Sequence, residues 1–282
     1  MAFKDILLQI DSYPDPTPTE AIDQAVEFCR LIDGRVTGLA VEIDVHLKPG
    51  WLADALADVS RLAAAEEATS RQACEARLAH FKRQAEAAGV FGGAQTVKAD
   101  YDGVGPIVAR MARSRDLCIV PIVEFGDGQR MVAEDVLFDS ARPTLVFRPK
   151  TAPLPAGRLG LVVLAWDGSR SAARALADSL PILTKAREVR VLTVINEKAS
   201  VVSGAGQDVV RHLAAYGVLC TTVEVDGSHR RIGDVLNAYL TAEKADLLVM
   251  GAYGRSRMKE FVLGGATEHV LNNPVTGLLL SH

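Results

Sequence analysis

The residues best suited to chemistry lie between Asp246 and Leu271, in the stretch DLLVMGAYGRSRMKEFVLGGATEHVL. Gly251, Gly254 and Gly264 follow the spacing G-x2-G-x9-G, and glycine lets a backbone come close to a ligand or take positive φ. Arg255 follows Gly254 and offers a planar fork of donors that suits oxyanions, or else a solvated surface charge. Gly264 precedes a segment that reads as a helix, whose first amides are free and whose dipole favours an anion. Phosphate is the ligand this chemistry suits. Gly265, Ala266 and Thr267 make up the first turn; Thr267 is either a hydroxyl near the phosphates or an ordinary first-turn residue beside Glu268. Met250 and Ala252 would line the wall of such a pocket.

These residues must be positioned by a strand before them and a helix after them. Leu247 to Gly251 is an apolar run of the kind buried in a parallel sheet, and the charged and apolar mixture after the glycines is helical in pattern. The same strand and helix order runs twice along the chain. DILLQI, RVTGLAVEI, AQTVKA, DLCIVPIV and TLVFRP are strands of the first half; RLGLVVLAWDGS, EVRVLTVI, LCTTVEVD, ADLLVMG and VTGLLLSH are those of the second. Helices are expected between them, among them one that Thr19 caps and a long helix, or two, between Trp51 and Gly89. Asp11 aligns with Asp167, Asp116-Leu117 with Asp246-Leu247, and Arg142-Pro143 with Asn273-Pro274. The chain reads as an internal duplication, with domains at 1–149 and 158–282 joined by PKTAPLPAG. Alternating strands and helices predict α/β architecture, two tandem doubly wound parallel-sheet domains. Ligands of such sheets bind beyond the carboxyl ends of the strands, where strand order reverses. Asp167 and Gly251 both fall on that edge.

The whole-chain order, together with Gly251, Gly254, Arg255 and Gly264, resembles the universal stress protein family in its tandem form, with two Rossmann-like domains of the adenine nucleotide alpha hydrolase type on one polypeptide. The diagnostic motif is present in the second half alone; after CIVPIV the first half has EFGDGQRMVAEDVLFDSARP, whose glycines are too close together. The resemblance implies an adenine nucleotide, ATP, ADP or AMP, with or without magnesium, in the C-terminal domain and none in the N-terminal one. It implies that Asp167, with Gly168 behind it, faces the nucleoside, although Asp167, Ser169 and Ser171 are also good helix caps. It places the adenine edge against the backbone of Val194 and Ile195, which are otherwise core residues. Where the family usually has Ser or Thr after the last glycine, this chain has Gly265. One charge-assisted hydrogen bond to phosphate is thereby lost, roughly 1.5 to 3 kcal/mol, or about one to two orders of magnitude in affinity. The resemblance further implies pairing of the two domains through their final strands, with dimerisation of the chain as an option and a protein partner whose identity it leaves open.

Composition sets the outer bounds. At 282 residues with 49% hydrophobic and 23% charged residues, the chain has material for real cores. A net charge of −4 without a dense Lys/Arg cluster gives little reason to expect nucleic acid; the basic DGSHRRIGD segment reads as a solvated loop. No apolar segment approaches the roughly 18 residues of a membrane helix, and MAFKDILLQIDS reads as a strand and not a signal peptide, so a cytoplasmic location is expected. The four cysteines are widely spaced, without C-x-x-C, and read as buried thiols. The six histidines show neither metal-ligand spacing nor a nucleophile partner. No catalytic constellation and no metal site is predicted. Two rival readings remain: a nucleotide-free interaction scaffold, and a slow ATP hydrolase that would need Asp167 as its acid.

Overall fold

A computed structural model describes residues 3–45, 53–123, 127–196, 203–228, 230–252 and 265–282, with backbone alone for 53–59 and 127. In chain order the first half runs β1 (Asp5–Asp11), α1 (Thr19–Leu31), β2 (Arg35–Ile43), α2 (Ala53–Ala87), β3 (Phe91–Ala99), α3 (Val104–Ala112), β4 (Leu117–Pro121), α4 (Asp127–Asp139) and β5 (Thr144–Phe147). The second half repeats it as β6 (Leu161–Ala165), α5 (Arg170–Leu183), β7 (Glu188–Ile195), α6 (Gln207–Ala214), β8 (Cys220–Asp226), α7 (Ile232–Glu243), β9 (Leu247–Gly251), α8 (Gly265–Asn272) and β10 (Gly277–Ser281). The α/β architecture expected from the alternation is the one observed. The segment from Trp51 to Gly89 contains a single helix, α2, of 35 residues. Thr19 is its helix's first residue and not its cap: Pro18, with φ −59°, precedes it, and no side chain caps α1. Proline's fixed φ starts the helix without a capping oxygen.

All strands belong to one ten-stranded sheet of order β3-β2-β1-β4-β5-β10-β9-β6-β7-β8. Every pairing is parallel except one. The exception is β5 with β10, antiparallel, with Leu279 opposite Leu145. Strand order therefore reverses twice, between β1 and β4 and between β6 and β9, and each reversal opens a crevice at the carboxyl edge. Runs such as LCIVP and LLVMG are buried because helices cover both faces. Ile6, Ile119, Val162 and Val249 pack under α1, α2, α5 and α6, while Leu7, Val120, Val163 and Leu248 pack under α3, α4, α7 and α8.

The duplication is visible in hydrogen bonds. Asp116 Oδ2 accepts from the amides of Lys4 and Asp5 at 2.7 and 3.0 Å. Asp246 Oδ2 does the same for Gly160 and Leu161 at 2.6 and 3.1 Å. Each carboxylate satisfies two amides that the sheet leaves unpaired at the start of its central strand. The connection between halves is also bound: Gln24 Nε2 donates to the Pro149 carbonyl at 2.9 Å, and Gln24 Oε1 accepts from Leu154 N at 3.2 Å. Ala152 and Leu154 are buried.

Candidate functional site

The second crevice is built from the ends of β6, β7 and β9 and the start of α8. β6 stops at Ala165, so Asp167 lies beyond the strand and is exposed, unlike Asp11, which ends β1 itself. Asp167 Oδ1 accepts from Ser169 N at 3.0 Å, a tight turn that Gly168 completes at φ +72°. Ser169 is the cap of α5, its Oγ accepting from Ala172 N at 3.1 Å; Ser171 meets Ser169 hydroxyl to hydroxyl at 3.1 Å.

Trp166, which the sequence reading passed over, makes the last rung of the β6–β7 ladder. Its amide donates to the Leu192 carbonyl at 2.8 Å, and its indole N–H donates to the Ala205 carbonyl at 3.1 Å. In a strand, residues two apart point their amide and carbonyl to the same side. Val194 therefore presents both groups toward β6, past the last rung, and among the described residues no backbone partner meets them there. Ile195 faces the other way, and its carbonyl accepts from Gly227 N at 2.8 Å. Just beyond, Asn196 sits at φ 63° and Asp226 gathers Ser228 N, Ser228 Oγ and Asn196 Nδ2 at 2.9, 2.7 and 3.2 Å. These bonds, the Ser228 amide first, hold the Asp226 carboxyl below its ordinary range. This second polar group on the rim was also missed. A serine two residues after an aspartate at a strand end was its sequence signal.

Met250 is buried and Gly251 ends β9 opposite Ser281. A Cβ on Gly251 would lie 2.3 Å from the Ser171 backbone carbon and 2.4 Å from Ala172 N. The glycine is required because β9 ends against the first turn of α5, and not for positive φ. Ala252 is buried and its amide donates to the Ser281 carbonyl at 2.7 Å. Gly254, Arg255 and Gly264 lie outside the described residues. Gly265 opens α8, is exposed, and would carry a Cβ with no described residue within 4 Å. Ala266 is half-buried and Thr267 buried. The structure thus brings Asp167, Gly168, Val194, Met250, Gly251 and the first turn of α8 to one edge of the sheet, and turns Ile195 toward β8.

The first crevice carries the same frame but is filled by its own chain. Val41, the counterpart of Val194 by strand register, has its carbonyl taken by Ser12 Oγ at 2.5 Å. Ser12 meets Ser70 of α2 at 2.7 Å, and Ser70 Oγ accepts from Ile43 N at 2.8 Å. Glu67 of α2 accepts from Val45 N at 3.1 Å. Tyr13 and Tyr101 pack with ring centroids 6.2 Å apart, and the Tyr101 hydroxyl donates to Glu66 at 3.3 Å. Asp11 accepts from Gln9 Nε2 at 2.5 Å, and the Gln129 side chain also lies against its carboxyl, while Gln9 Oε1 is enclosed without a donor among the described residues. Part of the residue reaches solvent, but burial of the carboxyl pushes its pKa up to about 6.

Among the described residues no group of three His, Cys, Asp or Glu could hold a metal ion, and no helix is long and apolar enough to cross a membrane. Residues 160–276 match the model of the Universal stress protein family. The fold is similar to that of a universal stress protein from Archaeoglobus fulgidus DSM 4304, at 15% identity and a TM-score of 0.66, over 98% of this chain and 95% of that one. It is also similar to a protein of unknown function from Pseudomonas aeruginosa PAO1, at 15% identity and TM-score 0.58 over 99% and 92%. A third similar structure, of a protein from Pseudomonas aeruginosa UCBPP-PA14, has 17% identity and TM-score 0.57 over 99% and 93%. No curated protein sequence matches the chain.

Proposed function

We propose, from the premise that residues 160–276 are a domain of the universal stress protein family, that the C-terminal half binds an adenine nucleotide and that the chain serves a stress response as a nucleotide-bearing, partner-binding regulator. The observation that supports this reading best is the contrast between Val194, whose amide and carbonyl meet no backbone partner among the described residues, and Val41, whose carbonyl is taken by Ser12. One donor and one acceptor side by side on an extended backbone match the hydrogen-bonding edge of a purine. Asp167 would accept from the ribose hydroxyls. The free amides of α8 would hold the phosphates, and Gly254, Arg255 and Gly264 are the further phosphate-binding residues this reading assigns from the sequence. The nucleotide supplies phosphate charge, and any magnesium would ride on its oxygens.

The same reading divides the chain into domains at 1–149 and 158–282. Calorimetric titration of nucleotide-stripped protein with ATP, ADP and AMP, with and without magnesium, tests it. One site per chain is expected, weakened in Asp167→Ala and lost in Gly254→Val. A folded protein that gives no heat with any of the three at millimolar concentration would overturn it. A scaffold without nucleotide then takes its place, a reading favoured by the way α2 fills the first crevice.

A further inference from the structure

We infer that the opposite edge of the C-terminal half carries a second ligand site, one that takes a small oligophosphate anion. At the amino ends of β6 and β7 there is a cavity of about 470 Å³ whose lining includes Arg158, Arg187, Arg190 and Lys244. It lies a strand's length, about 16 Å at 3.3 Å per residue, from the nucleotide crevice. The acids in its wall are already engaged. Arg190 is held by Glu188 at 2.7 Å and Glu243 at 2.6 Å, with the Tyr239 hydroxyl at 3.0 Å. Asp246 is occupied by the amides of Gly160 and Leu161. Arg158, Arg187 and Lys244 are therefore left as cations without a carboxylate among the described residues. In a chain of net charge −4, this is a local excess of positive charge around a hollow.

The fold itself does not demand these cations. Strand register equates Arg187 with Gly34 and Lys244 with Ser114 in the first half. Lys244 moreover takes the left-handed conformation at the end of α7, φ 52° and ψ 50°, which costs a residue with a Cβ roughly 1–2 kcal/mol. Glycine is the residue that position prefers. A helix dipole favours a cation near this end, yet any cation in the last turn would meet that need without the strained backbone. Two guanidinium forks and an ammonium around one cavity are the donors that a chain of phosphate groups requires.

The test is amide NMR of the whole chain titrated with sodium tripolyphosphate at constant ionic strength. Saturable shifts are expected at Arg187 and Lys244. The Arg158→Gln/Arg187→Gln variant, melting at the unaltered temperature, should bind at least about tenfold more weakly, since each lost charge-assisted contact carries 1.5–3 kcal/mol. Shifts confined to Gly265–Thr267 would overturn the site, as would an unchanged response in the double variant or none at about 10 mM. A glutamate-rich peptide that bound as tightly as tripolyphosphate would overturn the phosphate assignment. None of these outcomes depends on nucleotide binding in the other crevice.

Discussion

Two residues have consequences that can be measured one side chain at a time. Asp11 titrates near 6 when folded, against 3.8 ordinarily, because its carboxyl is enclosed. The folded protein thus holds a proton that the unfolded chain has released between those values, so stability from this group falls as pH rises from about 4 to 6 and is level above. Glu134, raised by burial as well, acts in the same direction, so the comparison must be with a variant. Asp11→Asn should raise the melting temperature at pH 7.5 and flatten the profile between about pH 4 and 6, by on the order of 1–3 kcal/mol. A variant whose profile kept the slope of the parent would refute this account. Glu42 and Asp226, whose carboxyls are held low, keep their contributions above their ordinary values of 4.5 and 3.8 and lose them only as pH falls below those, so the window from about pH 5 to 6 is clear of them. Gly265 is the second residue. No described residue would meet a Cβ there, so Gly265→Ser should fold normally and tighten ATP by about tenfold, read by calorimetry, through one added bond to phosphate. Gly251→Ala, by contrast, drives a Cβ into the α5 backbone and should lower stability by about 1–3 kcal/mol in urea denaturation.

At the scale of elements, α2 holds the first crevice shut. Ser70→Ala would leave the buried Ile43 amide without an acceptor and should destabilise by about 1–3 kcal/mol. Ser12→Ala should add less than its full effect on top, because the two hydroxyls share one bond; strictly additive losses in urea would show that they act apart. Little of this was legible beforehand. α2 is polar over much of its length, so its pattern announced a helix without saying what it would cover. The strands were legible because LCIVP and LLVMG are apolar without interruption, as burial on both faces requires. The aligned aspartates were legible too, but not their work, since the amides that Asp116 and Asp246 receive come from 111 and 85 or more residues away. At Gly251 the close approach is to the backbone of α5: a sequence shows that glycine is present, not which neighbour forbids a Cβ. Trp166 and the Asn196–Asp226–Ser228 group escaped because only the sheet brings their partners beside them.

At the scale of the molecule, β5 and β10 make the halves one sheet, reinforced by Arg148 donating to the Asn272 carbonyl at 3.0 Å and Phe138 stacking edge-on against His282 at 5.0 Å. Expressed alone, residues 158–282 would bare the β10 edge, and exposed edges seek a partner strand. Light scattering should find that fragment dimeric, and Leu279→Lys in it monomeric; a monomeric parent fragment would contradict the role given to β10. The seal that α2 places over one crevice also shapes the dose response. In the proposed reading each chain counts nucleotide once, and a single site cannot be cooperative with itself, since the Hill coefficient cannot exceed the number of sites. Occupancy of one such chain rises hyperbolically with concentration, giving a proportional gauge of the cell's adenylate level where two open crevices would have allowed a threshold.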